Sequence, residues 1–291
     1  MLRKSSRRLS KKTSKHSYHN IERPALGSGV FVFRGNMHPI LITFSLFGKE
    51  FVIASYGVFV STAVVSASLL VMYLHRFSEL KKDEIFTALI VIAACGIGGA
   101  YVTGTVLSIP DLIKNGIKDY SPVLVSWGGI TGGIVSALLL WRSWRFSLPD
   151  FADLCAPGYL LGIGIGRIGC FFGGCCYGVH TDSFIGVSFS DPIALASRGC
   201  QPLVPTQLIS AGFLIAAGIL FSIVYKRRKY IQGNLFAYSA LCYSVFRFTI
   251  EIWRDDPRVF LWKFSDGQLF SICFFIAGLI LIAKNRGKAV K

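Results

Sequence analysis

Charge is scarce in this sequence. Asp, Glu, Lys and Arg make up 16% of its 291 residues, against about 25% in soluble globular proteins. Acids are the rarer sign, 15 against 31 Lys and Arg, while hydrophobic residues reach 53%. An apolar excess of this kind needs a nonaqueous solvent and excludes a soluble globular domain. A secretory leader is also missing. Residues 1–36 hold nine Lys/Arg and one acid, Glu22, with no apolar segment among them. The eight cysteines do not form the pattern of a secreted disulfide framework, since Cys95, Cys155, Cys242 and Cys273 each sit alone in apolar runs and read as small buried hydrophobes. No internal repeat of the kind many carriers use is visible, which weighs against transport.

What is present is a series of apolar stretches near the roughly 20 residues a helix needs to cross the hydrocarbon core. They run from about Phe51 to Leu74, Ile85 to Leu107, Val123 to Trp141, Phe151 to Ile168, Leu203 to Tyr225, Leu235 to Trp253 and Gln268 to Ala283. Polar links such as Arg76 to Glu84, Pro110 to Pro122 and Lys226 to Gly233 separate them. The prediction is an all-α integral membrane protein of about seven transmembrane helices with short loops over residues 37–291. Ahead of it stands a basic, disordered extension, residues 1–36, with Met37 as an alternative start. The extension carries half the basic excess, because without it the net charge falls from +16 to +8. Such a tail suits anionic membrane lipid rather than nucleic acid.

Orientation follows from the Lys/Arg bias of short loops. The first, third and fifth links and the C-terminal end hold thirteen Lys/Arg, among them Arg76, Lys81, Lys82, Arg142, Lys226 and Lys284. The other links hold Lys114, Lys118, Arg198, Arg258 and Lys263, with Arg254 at a helix end. These loops place the N-terminus outside and the C-terminus in the cytoplasm of a bacterial cell, across its inner membrane. The basic extension argues the opposite, because translocating nine positive charges is unfavourable. Either the extension is absent from the mature protein or the helix count differs by one, and the first is the preferred reading.

An ionisable residue at mid-span costs roughly 2.5–3.5 kcal/mol on insertion scales, so it marks a functional site by default. Tyr243, Arg247, Glu251 and Arg254 follow one another at spacings of four, four and three, which sets them on one helical face. A buried Arg247–Glu251 pair alone could simply lock packing. The additional Arg254 and Tyr243 point instead to an anionic headgroup, whose phosphate oxygens match the planar fork of an arginine.

A second constellation is the run from Gly166 to Gly178, in which Arg167 precedes Cys170, Gly173, Gly174, Cys175 and Cys176. Its glycines permit close backbone approach, and exposed N–H groups beside Arg167 could cradle phosphate or sugar oxygens. The spacing matches neither the dinucleotide nor the Walker loop. For the three cysteines a metal site, a redox pair and a thiol nucleophile stand beside plain packing. No second Cys pair completes a tetrahedral set, and only His180 lies near, which weighs against a metal.

At these residues the chain resembles the prolipoprotein diacylglyceryl transferase family, over about Met37 to Ala283. The resemblance rests on His38-Pro39, Tyr56-Gly57, Gly98-Gly99 with Tyr101, Gly128-Gly129 with Gly132-Gly133, and Asp153 with Ala156-Pro157. It continues through the Gly166–Gly178 run, Pro205 and Gln207, the Tyr243–Arg254 stripe, and Ser265-Asp266-Gly267-Gln268. It implies transfer of a diacylglyceryl group from phosphatidylglycerol to the lipobox cysteine thiol of a prolipoprotein signal peptide, with release of glycerol phosphate. No cofactor and no metal are expected. By the same resemblance Arg247 and Glu251, supported by Tyr243, are catalytic. Arg167, Arg254, Tyr56, Gly169, Gln207 and Gln268 bind substrate.

The chain departs from the family pattern as a divergent, Cys-rich member. Cys170 and Gly173 stand where the family has Asn, Cys175 where it has an acid, Thr131 where it often has His, and Ala100 where it commonly has Arg. The usual general base is therefore missing, and Glu251, Tyr243, water or the substrate's own ionisation would take the thiol proton. The alternatives are a noncatalytic anionic-lipid-binding protein on the same scaffold and a lipid transferase with another acceptor.

Overall fold

The computed structural model describes residues 39–46, 49–115, 125–144, 147–189, 201–227, 233–255, 260–261 and 264–289. The extension over 1–36 and His38 lie outside them. Eight helices are described: α1 (Ser55–Leu74), α2 (Lys82–Leu107), α3 (Ile109–Asn115), α4 (Ser126–Trp144), α5 (Leu148–Phe172), α6 (Thr206–Arg227), α7 (Asn234–Glu251) and α8 (Asp266–Ala289). Three antiparallel strand pairs accompany them: β1 (Ile40–Leu46) with β2 (Lys49–Ala54), β3 (Val187–Ser188) with β4 (Pro202–Leu203), and β5 (Phe260–Leu261) with β6 (Phe264–Ser265).

All seven apolar stretches emerge as helices, and five are long and apolar enough to cross a membrane: α1, α2, α5, α6 and α8. α7 is shorter, at 18 residues, and carries both Arg247 and Glu251. Val65, Leu69, Ile97, Leu107, Leu139 and Ile280 are each more than half exposed. An apolar belt of that extent needs lipid around it, and the protein is a multi-pass membrane protein.

Some boundaries differ from expectation. Phe51–Ala54 belongs to β2, because it pairs with β1, so the first helix starts at Ser55. The link after Pro110 contains the short helix α3. Cys95 and Cys273 are exposed rather than buried, while Cys155 and Cys242 are partly buried. All four are free thiols.

α5 forms the centre, with α1, α6 and α7 against it, while α2 pairs with α4 and α7 with α8. Small residues allow the closest approaches. A Cβ on Gly99 of α2 would collide with the carbonyl of Gly128 in α4, and one on Gly132 with that of Cys95. Backbones meet where side chains are absent, as expected when lipid removes the hydrophobic drive between helices.

The start of α7 is held from outside. Gly233, its N-cap, has a positive φ of 81° and no capping side chain of its own. Asp153 of α5, only 1% exposed, substitutes for one. Its carboxylate accepts the N–H of Gly233 at 2.6 Å and of Phe236 at 2.8 Å. Two of the donors that a helix start leaves unpaired are thus satisfied by a neighbouring helix. Asn285 of α8 completes the joint by donating to Asn234 at 2.9 Å. Asp153→Ala should lower stability by about 1–3 kcal/mol, the cost of leaving buried donors unpaired, whereas Asp153→Asn should retain part of it. Unfolding midpoints in detergent measure both.

Candidate active site

Glu251 ends α7 and is 2% exposed. Its Oε2 is paired with Arg247 Nη1 one turn earlier and accepts from Arg254 Nη1 at 3.0 Å. Its Oε1 accepts the Ser265 hydroxyl at 2.9 Å. One carboxylate therefore orders two guanidiniums, and the group retains net positive charge. Arg254 lies beyond the last turn of α7, not on it, because its backbone pairs with Gly178. Its side chain nevertheless returns to Glu251.

The Ser265–Gln268 turn covers this group. Ser265 accepts from the N–H of Gln268 at 3.2 Å, and Gln268 Oε1 accepts from the N–H of Ser265 at 3.1 Å. That is a reciprocal capping box at the start of α8, so these contacts of Gln268 serve the helix. Gly267 lies against the charges themselves. A Cβ there would come within 2.5 Å of Arg247 Nη2 and 2.9 Å of Glu251 Oε1.

Across from α7, α5 ends at Phe172 and the chain turns through Gly174, at φ 66°, and Cys176, at φ 60°. Cys176 is the one positive-φ residue other than glycine among the described residues, a conformation that costs about 1–3 kcal/mol and clusters at functional sites. Hydrogen bonds from within and from α6 hold the turn. Cys175 N–H donates to Cys170 O at 3.1 Å, and α6 reaches over with Gln207 Nε2 to Cys175 O and Thr206 Oγ1 to Cys176 O, both 2.7 Å. Gln207 Oε1 is buried without a hydrogen-bond partner among the described residues. The Sγ atoms of Cys170, Cys175 and Cys176 all lie within 4.8 Å of one another. Hydrogen bonds from its two neighbours, with Arg167 and Arg254 near, hold the Cys176 thiol well below the usual thiol range.

Arg167 stands one turn before Cys170, partly buried and within electrostatic reach of Cys176, Cys170, Tyr243 and Arg254. Tyr56, at the start of α1, lies within reach of the same three cysteines and Arg167. Gly169 makes room for it, since a Cβ there would meet Phe59 Cβ at 2.8 Å and Tyr56 O at 3.4 Å. Strand-like bonds tie the two halves together. Val179 N–H donates to Trp253 O at 2.9 Å, and Asp255 N–H to Tyr177 O at 3.2 Å.

Tyr56, Arg167, Gly169, Gln207, Tyr243, Arg247 and Glu251 thus converge from four helices, joined by Arg254 from the segment just after α7, whereas Gln268 stands at the edge as a cap. Ser265, Gly267 and Thr206 were not among the expected site residues. The Ser-x-x-Gln spacing of a capping box is a signal that could have found Ser265, whereas Gly267 stood in the sequence only within the Ser265–Gln268 stretch of the family resemblance. Thr206 has no comparable signature. Every contributing segment is the N-terminal end of α1, α6 or α8 or the C-terminal end of α5 or α7. At the other ends of these helices, Arg76 follows α1, Lys226 and Arg227 close α6, and Lys284 lies near the end of α8.

These features define a multi-pass helical membrane protein with an arginine-rich site at one end of its bundle. The chain belongs to the prolipoprotein diacylglyceryl transferase family, whose sequence profile matches residues 41–284. Among its relatives is phosphatidylglycerol–prolipoprotein diacylglyceryl transferase 2 of Clostridium perfringens, 34% identical over 84% of this chain and 95% of the relative. The phosphatidylglycerol–prolipoprotein diacylglyceryl transferase of Clostridium tetani is 32% identical over 86% and 98%. That of Geobacter sulfurreducens is 34% identical over 55% and 61%.

Gly267→Ala tests the packing of Arg247 with no change of charge. The added methyl displaces the guanidinium, and a shift of that size should reduce turnover roughly 10²-fold with little change in the unfolding midpoint.

Proposed function

We propose that this protein transfers the diacylglyceryl group of phosphatidylglycerol to the lipobox cysteine thiol of a prolipoprotein signal peptide, releasing glycerol phosphate. The observation that carries this reading is the guanidinium surplus: Arg247 and Arg254 pair with one buried carboxylate, Glu251, and Arg167 lies within electrostatic reach of Arg254 and Tyr243. A phosphate leaving group gains negative charge in the transition state, and fixed donors stabilise it best where water is excluded. Arg167 binds the headgroup, Arg247 faces the departing phosphate, and Arg254 and Tyr243 support them. Glu251 holds the arginines in place, since both its oxygens are engaged.

In this reading α4 and α7 span the membrane as well, giving seven crossings. The basic helix ends then lie in the cytoplasm by the Lys/Arg rule, with the C-terminus, and the N-terminal end of α1 lies outside. The arginine site opens at the outer face of a bacterial inner membrane, where an emerging signal peptide and phosphatidylglycerol both reach it.

Release of labelled glycerol phosphate from phosphatidylglycerol, in the presence of a lipobox peptide, measures the reaction. Arg247→Lys keeps the charge but loses the fork and should lower turnover about 10²–10³-fold. Arg167→Ala should chiefly weaken phosphatidylglycerol binding. Unchanged rates in both variants would remove the arginines from the chemistry.

A further inference from the structure

The reaction proposed above leaves the thiol cluster without a task and the acceptor thiol without a base. Thr131 and Ala100 stand at the family's His and Arg positions, and the oxygens of Glu251 are engaged by Arg247, Arg254 and Ser265. We propose that Cys170, Cys175 and Cys176 bind one zinc ion through three thiolates, and that its fourth position takes the acceptor cysteine thiol. The second half of this proposal rests on the transferase reading; the first does not.

Zinc–sulfur bonds of about 2.3 Å in tetrahedral geometry set sulfurs about 3.8 Å apart. The three Sγ atoms already lie within 4.8 Å of one another, so modest side-chain rotations bring them onto one ion. Their backbone is fixed in advance by the Cys170–Cys175 hydrogen bond and by Gln207 and Thr206. The left-handed Cys176 backbone is the strain that this arrangement costs. An all-sulfur donor set selects a soft or borderline ion, zinc or copper(I), over magnesium or calcium. Three thiolates on Zn²⁺ leave one negative charge, which Arg167 and Arg254, both within reach of the cluster, offset. Three protein ligands and one open position form the pattern of catalytic zinc, whereas structural sites are closed by four. The incomplete tetrahedral set is thereby explained.

The chemistry fits the reaction, which is alkylation of a thiol. On binding zinc the acceptor thiol releases its proton to water, as coordinated thiols do. The sulfur then attacks the glycerol carbon bearing the phosphate of phosphatidylglycerol. A carbon–sulfur bond forms, and the carbon–oxygen bond breaks with its electron pair going to the phosphate oxygen. Thioether and glycerol phosphate leave, and zinc keeps its oxidation state throughout.

Full-length protein is purified in detergent, stripped with a chelator and reloaded with Zn²⁺ or Co²⁺. We expect one zinc per chain by elemental analysis, tight enough to survive desalting. Cys175→Ser alone should weaken it about 10–100-fold or more, and replacement of all three cysteines by Ser should abolish it. The cobalt form should show thiolate charge-transfer and tetrahedral d–d bands that shift with a lipobox peptide but not with its Cys→Ser analogue. Zinc retention by the wild type no greater than by the triple variant overturns the site, and loading by copper(I) alone overturns the choice of zinc. Full transfer by stripped protein overturns the catalytic role. Metal binding and a peptide-dependent spectral shift without any lipid transfer would uphold the site and sink the transferase reading instead.

Discussion

One carboxylate in a lipid-surrounded bundle governs this molecule. Without Glu251, Arg247 and Arg254 would repel each other in an environment that already penalises each charge. With it they form an ordered cationic group that is still one charge in excess. The rest of the site is arranged around that group. Ser265 fixes the remaining carboxylate oxygen while capping α8, and Gly267 leaves room for the guanidinium. The pairing of Gly178 with Arg254 brings in the turn from α5. A buried ion pair is often weak evidence for stability, because desolvation offsets the attraction. On the function proposed above, its value lies in placing donors where a phosphate can use them.

A second constraint is close helix approach without a hydrophobic drive. Glycines at the α2–α4 contact bring backbones together, and Asp153 joins α5 to the start of α7 with two charge-assisted hydrogen bonds. These joints set the positions of Arg167 on α5 and Arg247 on α7. The Cys-rich turn is held both by hydrogen bonds from α6 to its carbonyls and by the burial of Phe171 and Tyr177 on either side of the cysteines.

Much of this was legible in the sequence. Long apolar runs mark helices because only a helix satisfies its own backbone in lipid. Arg247 and Glu251 stood out because charges inside such runs are costly. The pairing of β1 with β2 was hidden, since Phe51–Ala54 is as apolar as the helix that follows. Asp153 was visible as an acid within a span, yet its partners are 80 and 83 residues away, and no local pattern encodes them. Thr206 was silent for the same reason. Its partner is the carbonyl of Cys176, 30 residues earlier, and a backbone carbonyl carries no residue signature. The thiol cluster was readable as three cysteines, but their convergence depends on the left-handed backbone at Cys176.

On the function proposed above, the arginine site attaches a phospholipid-derived group to a thiol. Intact mass spectrometry of a synthetic lipobox peptide, incubated with the purified protein and phosphatidylglycerol of defined acyl chains, tests it most directly. A mass gain equal to one diacylglyceryl group is expected on the Cys peptide and none on its Ser analogue. An unmodified Cys peptide, recovered from folded, zinc-loaded protein with phosphatidylglycerol bound, would contradict it.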